Sequence, residues 1–178
     1  MISTKLTSAA ANLARRAHAG RIDRTGAPEI DHYLRLADGM DSEDAACAAL
    51  LCDALGDGGV SEADLRGIGL PEETVAAILL LTHEEPEDYF DYVLRVKEDG
   101  LAAKVRRAEL ALRVEEMDSY VSLTGMDRRR RTTCRKAMDL LDGTDELWFD
   151  GTFASQHGAH PAGPTPPSAP VPPAREGR

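Results

Sequence analysis

Aromatic side chains are scarce, at 4% of the 178 residues with a single Trp. A core without them must be assembled from Ala, Leu and Val, and that composition favours helices. Long apolar runs are also missing. The longest, "VAAILLL" (75–81), falls far short of the roughly 20 residues that span a bilayer. The opening "MISTKLTSAAANLARRAH" has no continuous apolar stretch of the kind a secretory leader needs. Cysteines number three, at positions 47, 52 and 134 with no close-paired spacing; this predicts reduced thiols and a cytoplasmic location rather than a disulfide framework. Positive charge is in deficit, 21 Lys and Arg against 31 Asp and Glu for a net −10. Binding to a phosphate backbone needs clustered Lys and Arg, so no nucleic acid and no membrane is expected among the partners.

Hydrophobic residues make up 42% and charged residues 29%, ordinary for a globular chain of one domain plus an appendage. Leu6, Ala9, Ala10, Leu13, Ala14 and Ala17 recur at helical spacing over 4–19, and Gly20 ends the run. Residues 21–32 read as a loop. Asp41 or Ser42 caps a helix through 55 whose stripe is Ala45, Ala48, Ala49, Cys52 and Leu55. A short helix follows over 61–67. Pro71 and Pro86 open two more, with acids in their first turns, and 101–118 and 125–142 supply two longer helices. From about 155 the chain turns to Pro, Gly, Ala and Ser, with little to bury. The expectation is an all-α fold of six or seven helices over 1–150, followed by a disordered tail over 151–178.

The stretch "ALLCDALGDG" (49–58) places a thiol and two carboxylates in an apolar helix, where unpartnered acids are costly. Positions 52, 53, 56 and 57 stand at i, i+1, i+4 and i+5, so one helix face presents them. With a His from a preceding loop and an acid from a later helix, such a face can surround one divalent cation.

Three separated stretches carry a family resemblance: "AHAGRIDRTGAPEIDHYLRLA" (17–37), "AALLCDALGDG" (48–58) and "VRRAELALR" (105–113). In order and spacing they resemble the HD-domain metal-dependent phosphohydrolases over roughly residues 9–142. The nearest branch is the hydrolase domain of RelA/SpoT-type (p)ppGpp enzymes and its small stand-alone relatives. The resemblance implies a single HD-type helical bundle. It places the metal ligands at His32, Cys52, Asp53 and Glu109, with Cys52 where the family has His and Glu109 where it has Asp. The acid pair that handles water falls on Gly56 and Asp57, leaving Asp57 as the one catalytic acid. Arg113 stands for Asn, Arg21 for Gln, Glu29 for Tyr and Tyr33 for Pro, while His18, Arg24 and Gly26 are kept. Arg24 is expected to contact a phosphorylated ligand, as is His18, packed near His32.

Arg113 has two readings: a ligand for phosphate, or an i, i+4 partner that draws Glu109 off a metal. Cys52 also has two. As a thiolate it would favour Zn²⁺ or Fe²⁺ over Mn²⁺; as a small buried hydrophobe it implies no metal at all. The function expected is accordingly a degenerate HD-type protein that binds a phosphorylated nucleotide-like ligand, or a partner, without efficient hydrolysis. The alternative is an active metal-dependent phosphohydrolase or (p)ppGpp pyrophosphohydrolase with a retuned Zn or Fe site. A second alternative is an interaction module that docks a protein partner through "DELWFDGTF" (145–153) and the tail. The basic run "MDRRRRTTCRK" (126–136) reads as a solvated face that pairs with nearby acids.

Overall fold

Every side chain from 45 to 51 is buried in the computed structural model, which describes residues 2–55, 59–83 and 86–144. A helix apolar on all sides needs neighbours on all sides. This one, α3 (Glu43–Leu51), packs against α1 (Lys5–Ala17), α2 (Ile30–Asp38), α5 (Glu72–Leu81) and α7 (Gly100–Asp118). Four of its buried residues are alanines, which allow helices to approach closely. The shell is completed by α4 (Glu62–Gly67), α6 (Tyr89–Lys97) and α8 (Gly125–Asp142). Among the described residues there are thus eight helices and no strand, apart from an isolated bridge between Ile22 and Pro28 that pinches the α1–α2 loop. The all-α expectation holds, with one helix more than the pattern suggested.

The additional helix is α2. The loop expected over 21–32 ends earlier, and His32 sits in the first turn of a helix that buries Tyr33, Leu36 and Ala37. At the other end, α3 stops before expected. Cys52 is its C-cap, and the amide of Ala54 donates to the Leu51 carbonyl at 3.1 Å, an i→i+3 turn. Cys52 and Asp53 therefore lie in a turn after the helix, and residues 52–55 do not continue α3 as the spacing predicted. Gly56 and Asp57, the acid-pair positions, lie outside the described residues, as do 145–153 and the tail.

Caps explain the remaining boundaries. Asp88, not Pro86, starts α6 by accepting from the amides of Phe90 and Asp91. Asp99 does the same for α7 through Leu101 and Ala102. A Thr124/Asp127 capping box opens α8, and Gly143 closes it in the left-handed conformation at φ 68. In the basic run of α8, Arg131 and Arg135 pair with Asp118 at 2.6 and 3.5 Å, as expected of a solvated face.

Candidate functional site

Residues 106, 109, 110 and 113 share one face of α7 because helical neighbours recur at three and four positions. That face meets the turn after α3 and the first turn of α2. Its centre is Glu109, fully buried. Arg113 donates through Nε to Glu109 Oε1, and Arg106 donates through Nη1 to Oε2 at 3.0 Å. The same Arg113 reaches across to Asp53, donating through Nη2 to Oδ2 at 3.2 Å. Asp53 Oδ2 also accepts from the Tyr33 hydroxyl at 2.9 Å. One guanidinium thus holds both carboxylates, a planar fork suited to that task. Arg106 is anchored in turn by the Tyr89 hydroxyl at 3.1 Å, with its guanidinium carbon 5.2 Å from the Tyr92 ring centroid.

His32, Asp53 and Glu109, three of the four expected metal positions, therefore come together. Cys52 does not join them. Its thiol donates to the Ala49 carbonyl at 3.4 Å, and burial pushes its pKa up, as for a small apolar side chain. His32 Nδ1 pairs with Glu116 at 3.0 Å. Its Nε2 lies 3.8 Å from Glu109 Oε1, too far for a hydrogen bond, and is buried with no hydrogen-bond partner among the described residues.

These residues do not fit a divalent metal as they stand. Asp53 Oδ2 and Glu109 already hold a guanidinium, the Cys52 thiol is turned to the Ala49 carbonyl, and His32 Nε2 has no hydrogen-bond partner among the described residues. No group of three or more His, Cys, Asp or Glu among the described residues is arranged to bind an ion.

Of the retained residues His18 and Arg24, Arg24 lies away from the cluster, whereas His18 borders it through Tyr33. Arg24 pairs with Asp127, the α8 capping acid, and lies 4.9 Å over the Tyr120 ring; none of these contacts belongs to the Arg113 cluster. His18 stacks on Tyr33 at 4.3 Å and meets Glu29 Oε2 at 3.3 Å. Tyr33, in turn, stands edge-on to His32 at 5.1 Å, so the ring stacked on His18 is Tyr33 rather than His32. Glu29 also pairs with Arg21 at 3.1 Å, so two departures from the family pattern compensate each other.

Burial pulls His18 below its ordinary value against the opposing pull of Glu29. His32 is lowered as well, by burial first and the Arg113 guanidinium second. Both histidines are thus neutral at pH 7, and the unfolded chain binds protons at higher pH than the folded one. Stability is fully present above about pH 6.5. It should decline as pH falls from there through the lowered folded values. Urea melts at pH 7.5 and pH 5 check this, and His18→Gln should flatten the slope; a pH-independent midpoint would contradict it.

Beside the cluster, between α7 and α8, lies a cavity of about 420 Å³. Arg106, Arg113, Arg130, Asp53, Tyr89 and Thr133 are among its lining residues. Arg106 and Arg113 are offset by Glu109 and Asp53, so Arg130 gives the wall its surplus positive charge. Arg130 forms no ion pair among the described residues. Sequence reasoning assigned Arg106 and Arg130 no individual role, and it marked Tyr33 only as a departure from the family pattern. Arg106 was traceable at three residues before Glu109, whereas Arg130 is hidden within four consecutive arginines.

No protein-family model and no curated protein matches this sequence. A solved structure, described as a metazoan ortholog of SpoT that hydrolyzes ppGpp and plays a role in starvation responses, is similar in fold. The TM-score is 0.62 at 18% identity, covering 88% of this chain and 98% of that one. The chain therefore has the HD-type helical fold that its three motif stretches imply.

Proposed function

We propose that this chain is a degenerate HD-type phosphohydrolase-like protein that binds a phosphorylated, nucleotide-like ligand without efficient hydrolysis. The observation that carries this reading is the Arg113 guanidinium, bonded to both Asp53 and Glu109. Metal-assisted hydrolysis needs those carboxylates for an ion that activates water. Here they neutralise an arginine. A general base is worth about 10²–10⁴-fold in rate, and Gly56 cannot provide one. That leaves Asp57 as the sole catalytic candidate, with no paired acid beside it.

The ligand class rests on the cavity. Three arginines offer forked donors to phosphoryl oxygens, and Tyr89 adds an aromatic wall. The structural neighbour's own ligand, ppGpp, belongs to that class. The rival reading, an active enzyme with a retuned Zn or Fe site, requires Cys52 as a ligand; its thiol is instead turned to the Ala49 carbonyl of its own helix, which speaks against that.

Calorimetric titration with ppGpp, GDP and GTP, paired with a turnover assay in Mn²⁺, tests the proposal. We expect binding of at least one of these without release of pyrophosphate or phosphate. Metal-dependent turnover abolished by Asp53→Ala would make the chain an enzyme, and absence of all binding would remove the ligand.

A further inference from the structure

The charges in the buried cluster balance without any added ion. Two carboxylates face two guanidinium groups: Glu109 is bonded to both Arg106 and Arg113, and Asp53 to Arg113. A divalent cation seated between the two carboxylates would have to displace Arg113 or lie against its fixed charge. Like charges at such close range repel, and the fully buried Glu109 side of the site is poorly screened by water. We infer that the Arg113 guanidinium takes the place of a divalent cation in this site, so that arginines hold phosphoryl groups there without metal.

The geometry supports both halves of this statement. Arg113 uses Nε and Nη2 on the two acids, so its single positive charge lies between the carboxylates that would hold a cation. Its Nη1 has no protein acceptor among the described residues, and the side chain lines the cavity. From α8, Arg130 lines the same cavity without an ion pair, and the Thr133 hydroxyl, one helical turn along, has no hydrogen-bond partner among the described residues. A phosphoryl group between α7 and α8 would meet Arg113, Arg130 and Thr133 together. Meanwhile, His32 Nε2 is buried beside Glu109 with no hydrogen-bond partner among the described residues, so removing Arg113 would leave an imidazole and two carboxylates facing one another.

The phosphoryl half deepens the ligand-binding reading above and rests on it; the metal half does not. Metal is measured first, by elemental analysis after equilibration of untagged protein with Mn²⁺ or Zn²⁺ and dialysis. Wild type should emerge metal-free, Arg113→Ala should retain metal stoichiometrically, and adding Asp53→Asn to Arg113→Ala should abolish it. Stoichiometric metal in wild type that Asp53→Asn removes overturns the inference, as does a folded Arg113→Ala that stays empty. If Arg113→Ala does not fold, Arg113→Lys keeps the charge. Metal in that variant also overturns the inference, and its absence supports it.

Pyrophosphate affinity is measured next, in EDTA and again in Mn²⁺. The two values should agree, and Arg130→Ala should weaken both by about tenfold, the usual worth of a charged hydrogen bond. Binding that appears only with Mn²⁺ overturns the inference while the ligand-binding reading stands. If neither pyrophosphate nor any guanosine polyphosphate binds in either condition, both fall.

Discussion

Replacing Glu109 by alanine should lower the unfolding free energy by about 3–5 kcal/mol, the cost of leaving a buried charge uncompensated. Glu109 is fully buried and accepts from both Arg106 and Arg113. Its removal leaves Arg106 with only tyrosine contacts and Arg113 with Asp53 alone. Neither guanidinium can escape by losing its proton. Against a total stability of about 5–15 kcal/mol for an ordinary domain, such a loss brings the protein close to unfolding at room temperature. Urea denaturation reads it as a fall in midpoint at constant slope. Glu109→Gln, which keeps an acceptor and removes only the charge, should cost less. A double variant, Glu109→Leu with Arg113→Met, should recover part of the loss, because apolar residues of similar volume often replace a buried ion pair at little cost. A Glu109→Ala midpoint equal to wild type would mean that the cluster is hydrated and weak.

The ion pair between Glu109 and Arg113 was legible in advance, since residues four apart on a helix are neighbours. Its consequences were not. That the same guanidinium also reaches Asp53 depends on how closely α7 approaches the turn after α3, and that spacing is a property of packing. Long helices with clear caps, α7 and α8, followed their periodicity almost to the residue. By contrast, α2 was hidden because Gly26 and Pro28 mark a loop just before it, although Tyr33, Leu36 and Ala37 already had helical spacing. The end of α3 was misjudged for the opposite reason: its apolar pattern continues through Leu55, but the backbone tightens at Leu51 and Ala54.

These two boundaries matter to function. A helix continuing through 57 would array Cys52, Asp53, Gly56 and Asp57 on one side, as the resemblance implied. The observed turn instead presents Asp53 to Arg113 and Tyr33, while Cys52 bonds back to its own helix. Tyr33, standing where the family has Pro, supplies a hydroxyl to the acid that Arg113 holds. Arg21 and Glu29 satisfy each other directly, while Arg113 and Tyr33 both bond the same carboxylate oxygen of Asp53.

The scaffold beneath that site is α3, and Leu50→Ala should destabilise the protein by about 2–5 kcal/mol, through lost transfer free energy and a residual cavity. Leu50 is wholly inaccessible to solvent on a helix wrapped by α1, α2, α5 and α7. With neighbours on every side, and alanines already bringing the backbones close, the surroundings have little room to collapse into the space. The cost should therefore lie toward the upper end of that range. Leu94, 44% exposed on α6, is the matched control: Leu94→Ala removes the same atoms and should shift stability by about 0.5 kcal/mol or less. Overpacking the same helix with Ala49→Leu should also destabilise, by about 1–3 kcal/mol, since the side chain it enlarges is fully buried. Urea midpoints for the three variants test the central placement of α3 directly. If Leu50→Ala matched Leu94→Ala, α3 would be peripheral, and the turn carrying Asp53 would lose the rigid support that the Arg113 cluster requires.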